Sequence, residues 1–278
     1  MQEKNVTEIL SELVKIKSIS SDKNHIADVK KSAEFVEKLF LELGLQTKIA
    51  TSGNSRPAVL AQTEINPDRK TVLLYAHHDV QPVGDINKWE TDPFNPEIIN
   101  GRLFGRGSGD NKAGVVIHHE VVKELMKDLP VNIKIFIEGE EEIGSPCMAQ
   151  FLDEFNKELE ADVIVIADSG NIRIGTPTVT TSLRGLVDGF IEVDQPMRPV
   201  HSGVGGGVVP DAFMVLSKII ASFHNEKGEL QIEGLTSSDM DVLELKEEEI
   251  KKIFGSEDIN LFELDSISKR LWLEPALS

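Results

Sequence analysis

Cysteine is nearly missing from this chain: Cys147 is the single one among 278 residues. That excludes an internal disulfide and suits a reducing compartment. Basic residues are also scarce, 29 Lys and Arg against 47 Asp and Glu, giving a formal net charge of -18. A phosphate backbone needs a basic surface, so nucleic acid is excluded as the expected partner. No apolar run approaches membrane-spanning length, and the first residues, MQEKNVTEIL, lack the basic-then-apolar pattern of a secretion signal. A cytoplasmic protein with no membrane partner is expected. Internal repeats and low-complexity tracts are absent too. The rest of the composition, 40% hydrophobic and 27% charged, is that of a folded protein with core enough for one large domain or two smaller ones.

What the chain does have is a set of short apolar strands that end in acids. Thr71 to Val80 (TVLLYAHHDV) is the first: Val72 to Tyr75 reads as a strand buried on both faces, and it stops in His77, His78 and Asp79. Val131 to Ile137 is the second, followed by Glu138-Gly139-Glu140-Glu141-Glu142. Val163 to Ala167 is the third, followed by Asp168. Strand-like segments at Leu45 to Ala50 and Pro57 to Thr63 precede them. Helical spacing runs over Val6 to Val14, Ile26 to Leu43 and Asn111 to Leu129, and another helix is predicted to begin near Pro146. The prolines and glycines between Asp79 and Gly109 mark irregular backbone. Strands alternating with helices predict an α/β fold with a largely parallel sheet and flanking helices.

The pattern changes after Ser182. Leu186 to Val193 alternates like a half-exposed strand, HSGVGGG reads as a glycine-rich loop, and helices are predicted over about Pro210 to His224 and within DVLELKEEEIKKIF. A boundary near Leu183 therefore divides the chain into residues 1–183 and 184–278. In open α/β sheets ligands bind at the carboxyl ends of the strands. His77, Asp79, Asp110, the Glu140 to Glu142 run and Asp168 meet there if the three strands are neighbours. So many carboxylates beside an apolar core need compensation, and cations are the obvious one. Taken singly, each element has an ordinary explanation: His-x-Asp as a surface triplet, the glutamates as a solvated helix start, GRGSGDNKAG as a phosphate-binding loop. Three strands all stopping in acids favour the metal.

The ordered motifs HHDVQPVG, Trp89, Asp92-Pro93-Phe94, Gly101 to Gly107, Asp110-Asn111-Lys112 and EGEEEIGS resemble the di-zinc dipeptidase and carnosinase branch of the aminoacylase/carboxypeptidase-type metallopeptidases. The resemblance runs to about Asp211. It implies a metal-dependent hydrolase that cleaves dipeptides, with two Zn2+ per active site, Mn2+ or Co2+ being possible substitutes. By position, His77 matches a ligand of one metal and Asp79 the residue that orients its imidazole. Asp110 matches a carboxylate bridging both metals, Glu141 the general base, Glu142 a metal ligand and Asp168 a ligand of the second metal. Glu140 falls outside the metals' reach, His78 has no role, and His118 and His119 sit in a helix where a hydrogen bond or solvent is expected.

Residues 184–278 resemble an inserted α+β lid and dimerisation domain. There His201 matches a histidine that reaches the partner subunit's active site, so a homodimer and a small peptide substrate are implied. A further histidine ligand and carboxylate-binding residues belong well after the lid, and no histidine follows His224. The chain therefore reads as C-terminally truncated, with an unfinished lid and second metal site. Two alternatives stand beside the dipeptidase: an N-acyl-amino-acid deacylase of the same family, and an inactive metal-binding or dimerising remnant.

Overall fold

The first helix starts where side chains can satisfy its free N–H groups. In a computed structural model, which describes residues 5–171, 175–180, 183, 189–194, 201–226 and 231–234, Asn5 accepts from the Glu8 N–H at 2.9 Å and Glu8 accepts from the Asn5 N–H at 3.0 Å. Helix α1 (Val6–Val14) then turns Ile9, Leu13 and Val14 inward. Helix α2 (Ile26–Glu42) buries Val29, Ala33, Val36 and Phe40. It ends at Gly44, whose φ of 86° favours glycine.

Seven strands follow: β1 (Gln46–Ala50), β2 (Ala58–Gln62), β3 (Thr71–His77), β4 (Glu97–Ile99), β5 (Arg102–Phe104), β6 (Asn132–Glu138) and β7 (Val163–Ile166). Five of them form one sheet in the order β1-β2-β6-β3-β7. Strand β2 runs against β1 and β6, whereas β3 is parallel to both β6 and β7. The sheet is thus mostly parallel, with β2 the strand of opposite direction. The three acid-terminated strands are neighbours at its centre and edge.

Helices α1, α2 and α3 (Lys112–Leu125) cover one face, where Leu13, Val36, Phe40, Val115 and Val122 meet Leu74, Ala76, Ile133, Ile135 and Ile137. Helices α4 (Met148–Glu154) and α5 (Asn156–Leu159) cover the other, where Phe151 and Leu159 pack on Leu60, Leu73 and Phe136. Every residue of β6 is buried. A two-sided apolar core is what makes these strands read as continuous hydrophobic runs.

Several local expectations need correcting. Pro146 lies in a turn, and α4 starts two residues later at Met148. Helix α3 ends at Leu125, short of Leu129. The passage from Asp79 to Gly109 is not all irregular, because β4 and β5 form a hairpin around Asn100-Gly101, with φ of 52° and 77°. Asn-Gly is the pair that such a two-residue turn favours. Strand β7 is apolar but exposed, 44–59% along its length, and it pairs with β3 alone among the strands of the described residues.

The chain divides into two compact units, residues 1–170 and 171–278. Within the second, α6 (Ser202–Gly205) makes one turn in the glycine-rich stretch, and α7 (Ala212–Ala221) matches the predicted helix. Asp211 caps α7 by accepting from the Met214 N–H at 2.9 Å. Of the strand predicted over 186–193, residues 189–193 form none, and 186–188 lie outside the described residues. The helix predicted over 241–254 also lies outside them. Among the described residues no helix is long and apolar enough to cross a membrane.

Phe40 is fully buried whereas its neighbour Leu41 is 57% exposed. Phe40→Ala is therefore expected to cost about 3–5 kcal/mol and Leu41→Ala under about 0.5 kcal/mol, read as urea midpoints by circular dichroism.

Candidate metal centre

Strand register decides which side chains meet. His77 is level with Glu138 in the β3–β6 pair, and Tyr75 is level with Ile166 in the β3–β7 pair. The Ala167 N–H continues that last ladder to the Tyr75 carbonyl at 3.0 Å. His77, the acids after Glu138 and Asp168 therefore emerge together at one rim. Asp110 reaches the same place from the turn before α3, with Oδ1 3.1 Å from His77 Nε2. Asp168 Oδ2 and Glu141 Oε2 each lie 3.7 Å from that nitrogen.

Asp79 ties this group together from below. Its Oδ1 lies 3.3 Å from His77 Nδ1, and its carboxylate accepts the N–H groups of Glu141 and Glu142 at 3.3 and 3.2 Å. One fully buried side chain thus fixes both the imidazole and the turn that carries two of the acids. Burial opposes the charge of Asp79, yet the His77 hydrogen bond holds its pKa below the ordinary value.

The acidic run divides by direction. Glu138 is buried and accepts from the Tyr75 hydroxyl at 2.6 Å. Glu140 is also buried, taking the Arg56 N–H and the Cys147 N–H, both at 2.9 Å. Glu141 and Glu142 turn out towards the rim, where Gln81 Nε2 donates to Glu142 Oε2 at 2.9 Å. Glu140 is thus a structural anchor.

The electrostatics of the rim call for positive charge. His77 has four carboxylate oxygens within 3.7 Å of its ring nitrogens. Burial works against its protonation, but Asp79 and the neighbouring acids raise its pKa to about 9. Glu141, Glu142 and Asp168 are all shifted upward, by burial first and then by neighbouring carboxylates, with Asp79 acting on all three and Asp110 on Glu142 and Asp168. The side-chain donors of His77, Asp110 and Asp168 lie within 4.8 Å of one another. Two donors sharing a tetrahedral ion at 2.0–2.2 Å are about 3.4 Å apart. The 3.1 and 3.7 Å separations from His77 bracket that value, so the donor set suits one divalent ion. Glu142 is outside this trio. Asp168 lies in the same trio as His77.

Residues 73–265, more than half of the chain, match the model of peptidase family M20/M25/M40. The chain belongs to that family. A cysteinylglycine-S-conjugate dipeptidase of Corynebacterium striatum is 36% identical to this M20 chain over 232 residues, 82% of the chain and 51% of the relative. The Cys-Gly metallodipeptidase dug1 of Schizosaccharomyces pombe is 33% identical, covering 97% of the chain and 62% of the relative. Among solved structures, an M20 family metallo-carboxypeptidase from Sulfolobus solfataricus gives a TM-score of 0.73 at 27% identity over 93% of the chain and 61% of that structure. Human carnosine dipeptidase 1 gives 0.68 at 25% identity over 89% and 57%. The chain spans 51% and 62% of the length of the two curated relatives.

Four other histidines of this M20 chain have other partners. His118 Nε2 meets the Tyr75 carbonyl at 2.8 Å, and His119 Nδ1 meets Glu120 at 3.0 Å. His78 is buried with Nε2 on the Pro57 carbonyl at 2.9 Å, and burial pushes its pKa down to about 4. His201 lies in the second unit, where Nδ1 accepts from the Gly203 N–H at 3.0 Å at the start of α6. Three residues with no role assigned from sequence also shape the rim: Asn111, Gln81 and Lys112. Lys112 is fully buried, donating to the Leu13 and Ile16 carbonyls at 3.0 and 2.6 Å, and burial lowers its pKa to about 7. Asn111 and Lys112 stood inside a recognised motif, but nothing in one sequence separates an outward ligand from an inward strut.

Asp79→Ala is expected to weaken Zn2+ binding about 10–100-fold, the usual effect of removing a residue that orients a ligand. Competition with a chromogenic chelator measures it, with the surface variant His25→Ala matching the parent.

Proposed function

We propose that this chain carries the metal-binding core of a metal-dependent dipeptidase. The observation that supports it best is the convergence of His77, Asp110 and Asp168, from three separate segments, on one ion-sized gap with Glu141 beside it. In this reading His77, Asp110 and Asp168 hold one divalent ion, and Asp110 and Glu142 contribute to a second. Mixed imidazole and carboxylate donors suit Zn2+, and also Mn2+ or Co2+. Ions bound there would lower the pKa of a coordinated water and polarise a peptide carbonyl.

The chain's own residues then divide the work. Glu141 faces the His77 ring at 3.7 Å, and burial raises its pKa from the ordinary carboxylate value. A base of that kind takes a proton from the attacking water and returns it to the leaving amine. Asp79 keeps the His77 ring and the Glu141 turn in register. Asp110 is 73% exposed at its side chain, so it is open to solvent.

The relatives' names, Cys-Gly and cysteinylglycine-S-conjugate dipeptidases, point to unblocked dipeptides as the substrate class. Residues 184–278 serve as a lid and dimerisation domain in this reading, with His201 stabilising the oxyanion in the partner's site.

The test is hydrolysis of Cys-Gly, β-Ala-His and N-acetyl amino acids by the Zn2+- or Mn2+-loaded protein. Dipeptide cleavage that chelation abolishes supports the proposal. Cleavage of N-acetyl amino acids alone favours a deacylase, and no cleavage by a metal-loaded chain favours a binding remnant. Glu141→Ala should lower turnover about 10²–10⁴-fold with metal content unchanged. Loss of metal along with activity would exchange the roles of Glu141 and Glu142.

A further inference from the structure

Two of the three donors at the rim come from adjacent strand ends, and something must set the gap between them. The β3–β7 ladder runs out at the Ala167 N–H, one residue before Asp168. Beyond it a side chain takes over. Asn111, 2% exposed, accepts the His77 N–H on Oδ1 at 3.1 Å. Its Nδ2 donates to Asp168 Oδ1 at 3.0 Å and also to the Ala167 carbonyl. The carboxamide is thus bonded to both strand ends at once.

The fold makes room for this strut. A Cβ on Gly114, in the first turn of α3, would lie 2.4 Å from the Ala167 carbonyl oxygen and 2.6 Å from Asn111 Oδ1. Real Cβ atoms do not come so close, so only glycine lets α3, Asn111 and the end of β7 approach as they do. The bonding also leaves the two oxygens of Asp168 unequal. Oδ1 is held by Asn111, while Oδ2 is the one 3.7 Å from His77 Nε2.

We propose that Asn111 is a positioning residue for the ion site: it sets the spacing of the His77 imidazole and the Asp168 carboxylate and commits Asp168 to binding through one oxygen. The proposal rests on the metal reading above. Its chemistry requires an amide, since one end must accept from an N–H and the other must donate to a carboxylate and a carbonyl. An aspartate of the same shape keeps the acceptor but turns the donor into a second anion facing Asp168.

The test is Zn2+ affinity of the full chain, of Asn111→Ala and of Asn111→Asp, by chelator competition, with circular dichroism of each metal-free protein. Both variants are expected to bind about 10–100-fold more weakly than the parent while folded. Asn111→Asp separates positioning from mere filling of space, because a filler role predicts that this near-isosteric, more anionic variant binds a cation as tightly as the parent or tighter. That result overturns the proposal. If Asn111→Ala does not fold, Asn111→Asp alone decides. A parent that binds no Zn2+ overturns the metal reading and this proposal with it, whereas a parent that binds beside an unimpaired Asn111→Asp overturns this proposal alone.

Discussion

Parallel neighbours in a sheet leave it in the same direction, so the residues that follow them are delivered to one rim. Here β3 sits between β6 and β7, paired to both in parallel, and the ladders stop almost level. That alignment lets residues from separate strand ends, His77 and Asp168, lie within 3.7 Å. It depends in turn on the core. Alternate residues of β3 pack on opposite faces, Leu74 and Ala76 under α2 and α3, Leu73 under α4 and α5, so neither face can slip without unseating the other.

Bringing these groups together creates an electrostatic problem that the protein alone solves only in part. Asp79 is compensated by His77 and by two backbone N–H groups. Burial disfavours the ionisation of Glu141, Glu142 and Asp168, and the hydrogen bonds from Gln81 to Glu142 and from Asn111 to Asp168 offset it only in part. A rim that is costly without a cation and suited in spacing to hold one is selective by construction. It suits divalent charge because the surrounding structure has already brought the carboxylates together.

Much of this was legible in the sequence. Apolar runs that end in acids located β3, β6 and β7, while the order that makes them neighbours comes from the fold. His77, Asp79, Asp110 and Asp168 were found from type and position, and the structure gathers them. What sequence reasoning could not supply was direction. Asn111 and Glu140 carry side chains as polar as their neighbours, and only tertiary contacts turn them inward. The Asn100-Gly101 pair is a hairpin signal, but the prolines and glycines around it suggest loop throughout. Strand β7 has the composition of a buried strand, yet Val163 to Ile166 are exposed: composition reports what a strand could bury, not what lies against it.

The seat of Glu140 has a consequence for a sequence made of three identical letters. A stretch of consecutive glutamates could slide by one place without altering its chemistry, and nothing in the letters themselves would resist. The buried niche formed by the backbones at Arg56 and Cys147 accepts one carboxylate, and filling it makes the other two distinguishable. Which glutamate looks at the imidazole is therefore decided on the far side of the turn, by a residue that never sees a substrate.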